Sequence, residues 1–140
     1  MKPLRVLVVE DNPADIDLLK ECLDIENLPV TVDYVHDGNA AMAFLYRGRP
    51  DIVILDLNLP GLSGYDVLAR IRDDQSLRHT PVLILTHSEA QSDIFKTYVL
   101  GANCYITKPA TLQGFRHVVR QLDGFWFSLV KLPMLSHPAS

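Results

Sequence analysis

The sequence of 140 residues lacks most of the features that mark specialised protein classes. It has only two cysteines, Cys22 and Cys104, and no Cys/His spacing typical of a metal site, which excludes a disulfide framework and a zinc module. No apolar run approaches the roughly 18 to 20 residues that span a bilayer, and the N-terminus does not resemble a signal peptide. We therefore expect a cytoplasmic protein with two reduced thiols.

Strong positive charge is also missing. The 13 Lys and Arg residues against 17 Asp and Glu residues give a net charge of -4, and no basic run occurs, so no nucleic-acid partner is expected. The phosphate-binding pattern G-x-x-x-x-G-K-[ST] is absent, and nucleotide binding is not supported. A hydrophobic fraction of 48% and this length fit one domain with a single core and no membrane segment.

Short apolar runs alternate with amphipathic stretches along the chain. Runs such as DIVILD and PVLILT, rich in Val, Ile and Leu without polar alternation, are typical of strands buried on both faces of a parallel sheet. We predict strands at residues 5–10, 30–35, 51–56, 81–86 and 104–106, and helices at residues 14–26, 37–47, 64–73, 90–100 and 111–122. This alternation predicts an α/β fold, a doubly wound parallel sheet with helices on both faces.

Polar residues stand where these strands end, which is where such sheets carry their functional site. Glu10 and Asp11 end the first strand and Asp56 ends the third, so neighbouring strands would bring three carboxylates into one cleft. Clustered carboxylates favour a Mg²⁺ cofactor. Thr86 ends the fourth strand, and Lys108 follows the last. A carboxylate nucleophile, a metal ion, an ammonium and a hydroxyl suffice for phosphoryl transfer onto an aspartate.

The segments VVEDNPAD, ILDLNLPGLSGYDVLARIR, LILTHS and YITKPA resemble, in type and order, the receiver domain of bacterial response regulators. The likeness extends to about Leu122. It implies a flavodoxin-like fold, in which a five-stranded sheet has the order 2-1-3-4-5, and a receiver domain at residues 1–124. It also implies a phosphorelay switch that assists its own phosphorylation and dephosphorylation and is not otherwise an enzyme.

The resemblance implies a role for each matching residue. Asp56 would accept the phosphoryl group, and Lys108 would pair with it. Thr86 would bond a phosphoryl oxygen and move on activation, and Tyr105 would change rotamer with it. The Lys108–Pro109 peptide would be cis, a state rare outside X–Pro bonds. The implied ligands of Mg²⁺ are Asp11, Asp56, the backbone carbonyl of Asn58 and, through water, Glu10.

Other functions remain open at this point. Acidic residues after a strand often only stabilise the next helix, and it is the joint placement of the motifs that favours a site. A phosphatase of the haloacid dehalogenase type usually has a second Asp two residues after the first, where this chain has Asn58. A protein interaction module that keeps the receiver fold without phosphorylation is the main alternative.

His87 directly follows the proposed switch residue Thr86. It is either an ordinary exposed histidine or an imidazole that narrows access to the phosphoryl group and alters dephosphorylation.

An apolar extension, residues 125–140, follows the receiver. It either packs back on its own domain or forms a dimer or partner contact, for which we select Phe125, Trp126, Phe127 and Leu129. The sequence FWF followed by VKLP resembles the single-domain response regulators of cyanobacterial phytochromes. That resemblance implies a phytochrome-type sensor histidine kinase as phosphodonor and a homodimer. With no output domain expected, the signal would pass through contacts with an unknown protein target.

Overall fold

The structure is a computed structural model and describes residues 3–128 and 130–133. Within these residues five strands alternate with five helices, as the sequence predicts. The strands are β1 (Leu4–Val9), β2 (Val30–Val35), β3 (Ile52–Leu55), β4 (Val82–Thr86) and β5 (Cys104–Thr107). The helices are α1 (Pro13–Glu26), α2 (Gly38–Gly48), α3 (Gly64–Asp73), α4 (Gln91–Val99) and α5 (Leu112–Leu122), and a π-helical turn (Asp123–Phe127) continues α5.

All the strands are parallel, in the order β2-β1-β3-β4-β5, which confirms the predicted sheet. Every residue of β3 and β4 is buried, whereas the edge strands β2 and β5 are mostly half-buried. A strand covered by helices on both faces has no solvent side, and this explains why the central strands read as unbroken apolar runs. Among the described residues, no helix combines the length and the hydropathy that a bilayer span requires.

Two apolar layers hold the helices to the sheet. In β1, Leu7 and Val9 face α2 and α3, whereas Val6 and Val8 face α1 and α5. On the face of the sheet that α1 and α5 cover, Phe115 of α5 is almost fully buried. Each buried Val, Leu or Phe side chain contributes about 1.5–3 kcal/mol, so this alternation fixes which face of the sheet each helix covers.

Helix α4 packs differently from the others. Its buried residue is Thr97, whose hydroxyl donates to the carbonyl of Ile94, and the exposed fractions of Phe95 and Val99 are 73% and 68%. Tyr98 is also exposed. The apolar stripe of this helix therefore faces outward.

The apolar extension begins as a continuation of α5. Trp126 and Phe127 pack against the α1–α5 core layer, together with Leu132. Phe125 stands edge-on to Trp126 with ring centroids 5.7 Å apart, and half of its side chain is exposed. Leu129, which the sequence analysis also selected, lies outside the described residues.

Candidate functional site

The register of β1 and β3 brings the predicted acidic residues together. Val9 pairs with Leu55, so Glu10 and Asp56 follow side by side at the carboxyl edge of the sheet. The Asp56 amide donates to the Val9 carbonyl at 3.0 Å, and the Glu10 amide donates to the Val35 carbonyl at 3.0 Å. The main chain thus fixes both residues where the two strands end.

Carboxylate oxygens of Glu10, Asp11 and Asp56 lie within 4.8 Å of one another, as the sequence predicts. Glu10 and Asp56 are buried, whereas Asp11 is exposed at the mouth of the cleft. Burial first, and then the negative charge of Asp56, raise the pKa of Glu10 to about 7, although Lys108 opposes the shift. Carboxylates so close together in a buried site favour a cation among them.

Lys108 provides one cation. Its backbone amide donates to the Thr86 carbonyl at 2.7 Å, which anchors the residue beside β4. Its Nζ donates to Asp56 Oδ2 at 3.0 Å and Asp15 Oδ2 at 2.9 Å, and it is paired with Glu10. Burial lowers the pKa of Lys108, but the carboxylates around it outweigh burial and raise it above its ordinary value. The ammonium therefore stays charged.

Asp15 belongs to this site, and the sequence analysis missed it. It lies in the first turn of α1, where Asn12 caps the helix by accepting from the amides of Ala14 and Asp15 at 2.9 and 3.2 Å. Its carboxylate is buried and also lies 3.1 Å from His87 Nε2. The sequence carried no signal for this role, because Asp11 precedes the N-cap Asn12 and helical spacing does not relate it to Asp15.

Asn58 and α3 border Asp56 on the other side. The Asn58 amide lies 3.3 Å from Asp56 Oδ1 and donates to it. The Gly64 amide at the start of α3 donates to the Leu57 carbonyl at 3.0 Å. A Cβ at Gly64 would lie 2.2 Å from the Asp56 carbonyl oxygen, so glycine is needed for α3 to approach this loop.

Thr86 ends β4 with a fully buried side chain. Its Oγ1 has no hydrogen-bond partner among the described residues. Buried hydroxyls are almost always satisfied in folded proteins, so this group is suited to a bond with an added acceptor.

Tyr105 lies on β5, which β4 separates from the strand that Asp56 follows. It is half-buried, and its hydroxyl donates to the Ser88 carbonyl at 2.9 Å. Ser88 and Tyr65 both donate to the carboxylate of Asp93, which ties the β4–α4 loop to α3 and α4. The sequence analysis did not identify this network.

The predicted cis peptide at Lys108–Pro109 is wrong, because the bond is trans. The trans form is the more stable by about 0.5–1 kcal/mol for X–Pro bonds. With the trans bond the Lys108 ammonium already reaches its carboxylate partners.

Comparisons with known proteins agree with this geometry. The family model of the response regulator receiver domain matches residues 6–120. The response regulator Rcp1 of Synechocystis sp. is 38% identical over 138 residues, which cover 94% of each chain.

Two solved structures are similar over the same span. The phosphorylated cyanobacterial phytochrome response regulator RcpA has a TM-score of 0.88 and 42% identity, covering 94% of this chain and 99% of that one. The Mn²⁺-bound form of Rcp1 has a TM-score of 0.85 and 38% identity with the same coverage. From its fold, the acidic cleft at its strand ends and these matches, the chain belongs to the response regulator receiver domain family.

Proposed function

We propose that this response regulator accepts a phosphoryl group on Asp56. The observation that carries the proposal is the Lys108 ammonium, buried and 3.0 Å from Asp56 Oδ2, beside the carboxylates of Glu10 and Asp11. A solvated lysine or a simple turn aspartate would not be buried in this way. The chemistry needs only a phosphodonor, because the chain is its own acceptor.

The transfer uses the Asp56 carboxylate as nucleophile. A carboxylate oxygen attacks phosphorus, a new O–P bond forms, and the P–N bond of a donor phosphohistidine breaks with its electron pair returning to the imidazole. Lys108 would then donate to an oxygen of the transferring group and stabilise its charge. Apart from this self-directed phosphorylation and the later dephosphorylation, we assign no enzymatic activity.

The acidic cluster fits a divalent cation with hard oxygen ligands, and we propose Mg²⁺. The proposed ligands are Asp11, Asp56, the Asn58 carbonyl and, through water, Glu10. Exposed Asp11 is open to solvent at the mouth of the cleft, which suits an ion that keeps several waters. When bound, Mg²⁺ would neutralise charge on the phosphoryl oxygens. The Mn²⁺-bound relative supports a metal of this class.

Thr86 and Tyr105 form the proposed switch. The buried Thr86 hydroxyl lacks an acceptor among the described residues, and a phosphoryl oxygen on Asp56 would supply one. Movement of Thr86 would shift the β4–α4 loop that receives the Tyr105 hydrogen bond. The outward-facing surface of α4 lies beside this loop and would change with it.

The proposed phosphodonor is a sensor histidine kinase of the phytochrome type. The name of the relative RcpA, a phytochrome response regulator, supports this pairing. Light would act on the kinase. We further propose a cytoplasmic location, consistent with two free cysteines, and no contact with nucleic acid or membrane.

We propose that the receiver domain covers residues 1–124 and that the extension at 125–140 contributes to a homodimer or another partner contact. Trp126 and Phe127 pack on their own domain, so Phe125, which is half exposed, is the aromatic of the described part of the extension best suited to a partner.

Labelling with acetyl phosphate and Mg²⁺ tests the acceptor. We expect Asp56→Asn to abolish hydroxylamine-sensitive labelling, because an amide is not a competent nucleophile, whereas the exposed Asp73→Asn should label like the unaltered chain. Equal labelling of Asp56→Asn would contradict the proposal. Partner binding that is the same with and without phosphate would instead favour the phosphorylation-independent interaction module.

A further inference from the structure

Asp15 is a fourth carboxylate in the cleft, and neither the metal nor the acceptor role uses it. Its Oδ2 lies 2.9 Å from the Lys108 ammonium, slightly nearer than Asp56 Oδ2 at 3.0 Å. An ammonium has three donors, and here they are directed to Glu10, Asp15 and Asp56. A phosphoryl oxygen that needs a Lys108 donor must therefore compete with a carboxylate already in place.

His87 holds this carboxylate from the solvent side. Its Nε2 lies 3.1 Å from the same Asp15 Oδ2, and since a carboxylate only accepts, the imidazole donates. The His87 side chain is 56% exposed while that of Asp15 is 10% exposed, so the ring stands between Asp15 and water. The contact joins α1 to the first residue after β4.

We propose that Asp15, held by His87, is a positioning residue that competes with the phosphoryl group for Lys108 and thereby weakens the phosphorylated state. This inference rests on the proposed acceptor role of Asp56. The carboxylate acts in two ways: it occupies a Lys108 donor, and it adds negative charge to a cleft that must accept a dianionic group. Because one peptide bond links Thr86 to His87, movement of Thr86 is passed to the group that holds Asp15.

Beryllofluoride binding at saturating Mg²⁺ tests the competition in the intact 140-residue chain. We expect Asp15→Asn, which keeps the shape and removes the charge, to bind beryllofluoride about tenfold more tightly. The rate of labelling by acetyl phosphate should rise in parallel. In that reaction an Asp56 oxygen forms a bond to phosphorus while the bond from phosphorus to the acetate oxygen breaks, and acetate should be released faster than with the unaltered chain. A gain in affinity is not what structural damage produces.

Two further variants define the control and the rescue. Asp17→Asn removes the same charge from an exposed position of α1 and should bind beryllofluoride like the unaltered chain. Asp15→Glu restores a carboxylate and should return the affinity toward the unaltered value. Asp15→Asn binding no more tightly than Asp17→Asn would overturn the inference.

His87 is tested in a double-mutant cycle. We expect His87→Ala to strengthen beryllofluoride binding about threefold, because water then reaches Asp15 and weakens its hold on Lys108, and to have no effect in the Asp15→Asn background. An equal effect of His87→Ala in both backgrounds would show that His87 acts by limiting access and would overturn its assigned role. If the unaltered chain were not labelled on Asp56 at all, the acceptor proposal itself would fail. If the chain were labelled but Asp15→Asn did not change beryllofluoride binding, only this inference would fail.

Discussion

At the residue scale, Lys108 determines how the acidic cleft can exist in a folded chain. Three carboxylates, those of Glu10, Asp15 and Asp56, direct oxygens to its ammonium. Removing one partner of a buried ion group costs more than the group itself contributes, because the remaining charges are left without compensation. The lysine that we propose for phosphoryl transfer therefore also stabilises the fold.

Replacing this lysine should lower stability. We expect Lys108→Met to reduce the free energy of unfolding by about 3 kcal/mol in EDTA, measured by urea denaturation, with part of the loss recovered in Mg²⁺. Exposed Lys131→Met is the matched control and should change little. An unchanged unfolding midpoint for Lys108→Met would show that the cluster does not depend on the ammonium.

The same cluster gives this prediction a pH dependence. Burial raises the pKa of Glu10 from 4.5 to about 7, so between these values the folded chain binds a proton that the unfolded chain does not. The contribution of Glu10 to stability therefore falls as pH rises through this window. Without Lys108 the carboxylates lose their cation. The decrease in the free energy of unfolding caused by Lys108→Met should therefore be larger at a pH of about 8 than at about 5.

The sequence predicts the residues of the site better than their partners. Asp56, Glu10 and Lys108 follow strands, and strand ends of a parallel sheet meet at one edge, so their proximity follows from the fold. Asp15 lies inside a helix, and its contact with Lys108, 93 residues away, depends on how α1 is set against β5. The trans state of the Lys108–Pro109 peptide could not be predicted from the sequence either, because the cis prediction depended only on the family resemblance.

At the scale of elements, Arg72 joins the end of α3 to the segments that flank β4 and β5. Its guanidinium donates to the carbonyls of Thr80 at 2.8 Å and Gly101 at 2.9 Å, and to Asn103 Oδ1 at 2.9 Å. Asn103 in turn accepts from the Val82 amide at 2.8 Å. This one side chain thereby satisfies carbonyls at the end of the sheet opposite the cleft.

A lysine cannot replace this planar fork. We expect Arg72→Lys to lower the free energy of unfolding by about 2 kcal/mol, because several carbonyls lose their donors, while the labelling rate of Asp56 stays unchanged. Arg70→Lys, at an exposed position of the same helix, serves as the control in thermal unfolding. Equal melting temperatures for the two variants would contradict the assigned role of Arg72.

Helix α4 shows that hydrophobic periodicity predicts a helix but not which face of it is buried. The spacing of Phe95, Tyr98 and Val99 indicates a helix, which the structure confirms, but the apolar stripe is exposed. Hydrophobic spacing shows that one face of a helix is apolar, but it does not show what covers that face. The central strands β3 and β4 were easier to predict, because fully buried strands leave an unbroken apolar run.

At the scale of the whole molecule, the described residues include two exposed apolar surfaces that suit a partner. One is the α4 stripe, and the other is Phe125 at the start of the extension, with exposed fractions of 73% for Phe95 and 50% for Phe125. They lie on different elements, so the two can be altered separately. The proposed homodimer uses the extension.

Sedimentation with and without beryllofluoride and Mg²⁺ tests that assignment. We expect Phe125→Ser to weaken the dimer about tenfold or more, because an aromatic side chain at an interface contributes strongly to binding. Phe95→Ser, on α4, should leave the dimer intact. The reverse pattern would assign the interface to α4, and a monomer under all conditions would contradict the homodimer.

The central claim is that Asp56 carries the phosphoryl group, and mapping that group tests it most directly. The chain is treated with acetyl phosphate and Mg²⁺, the acyl phosphate is trapped by borohydride reduction, and the peptides are sequenced by mass spectrometry. The account predicts that the reduced residue is at position 56 and that it is absent from Lys108→Met at the same time point. Trapping at Glu10 or Asp11, with Asp56 unmodified, would contradict it.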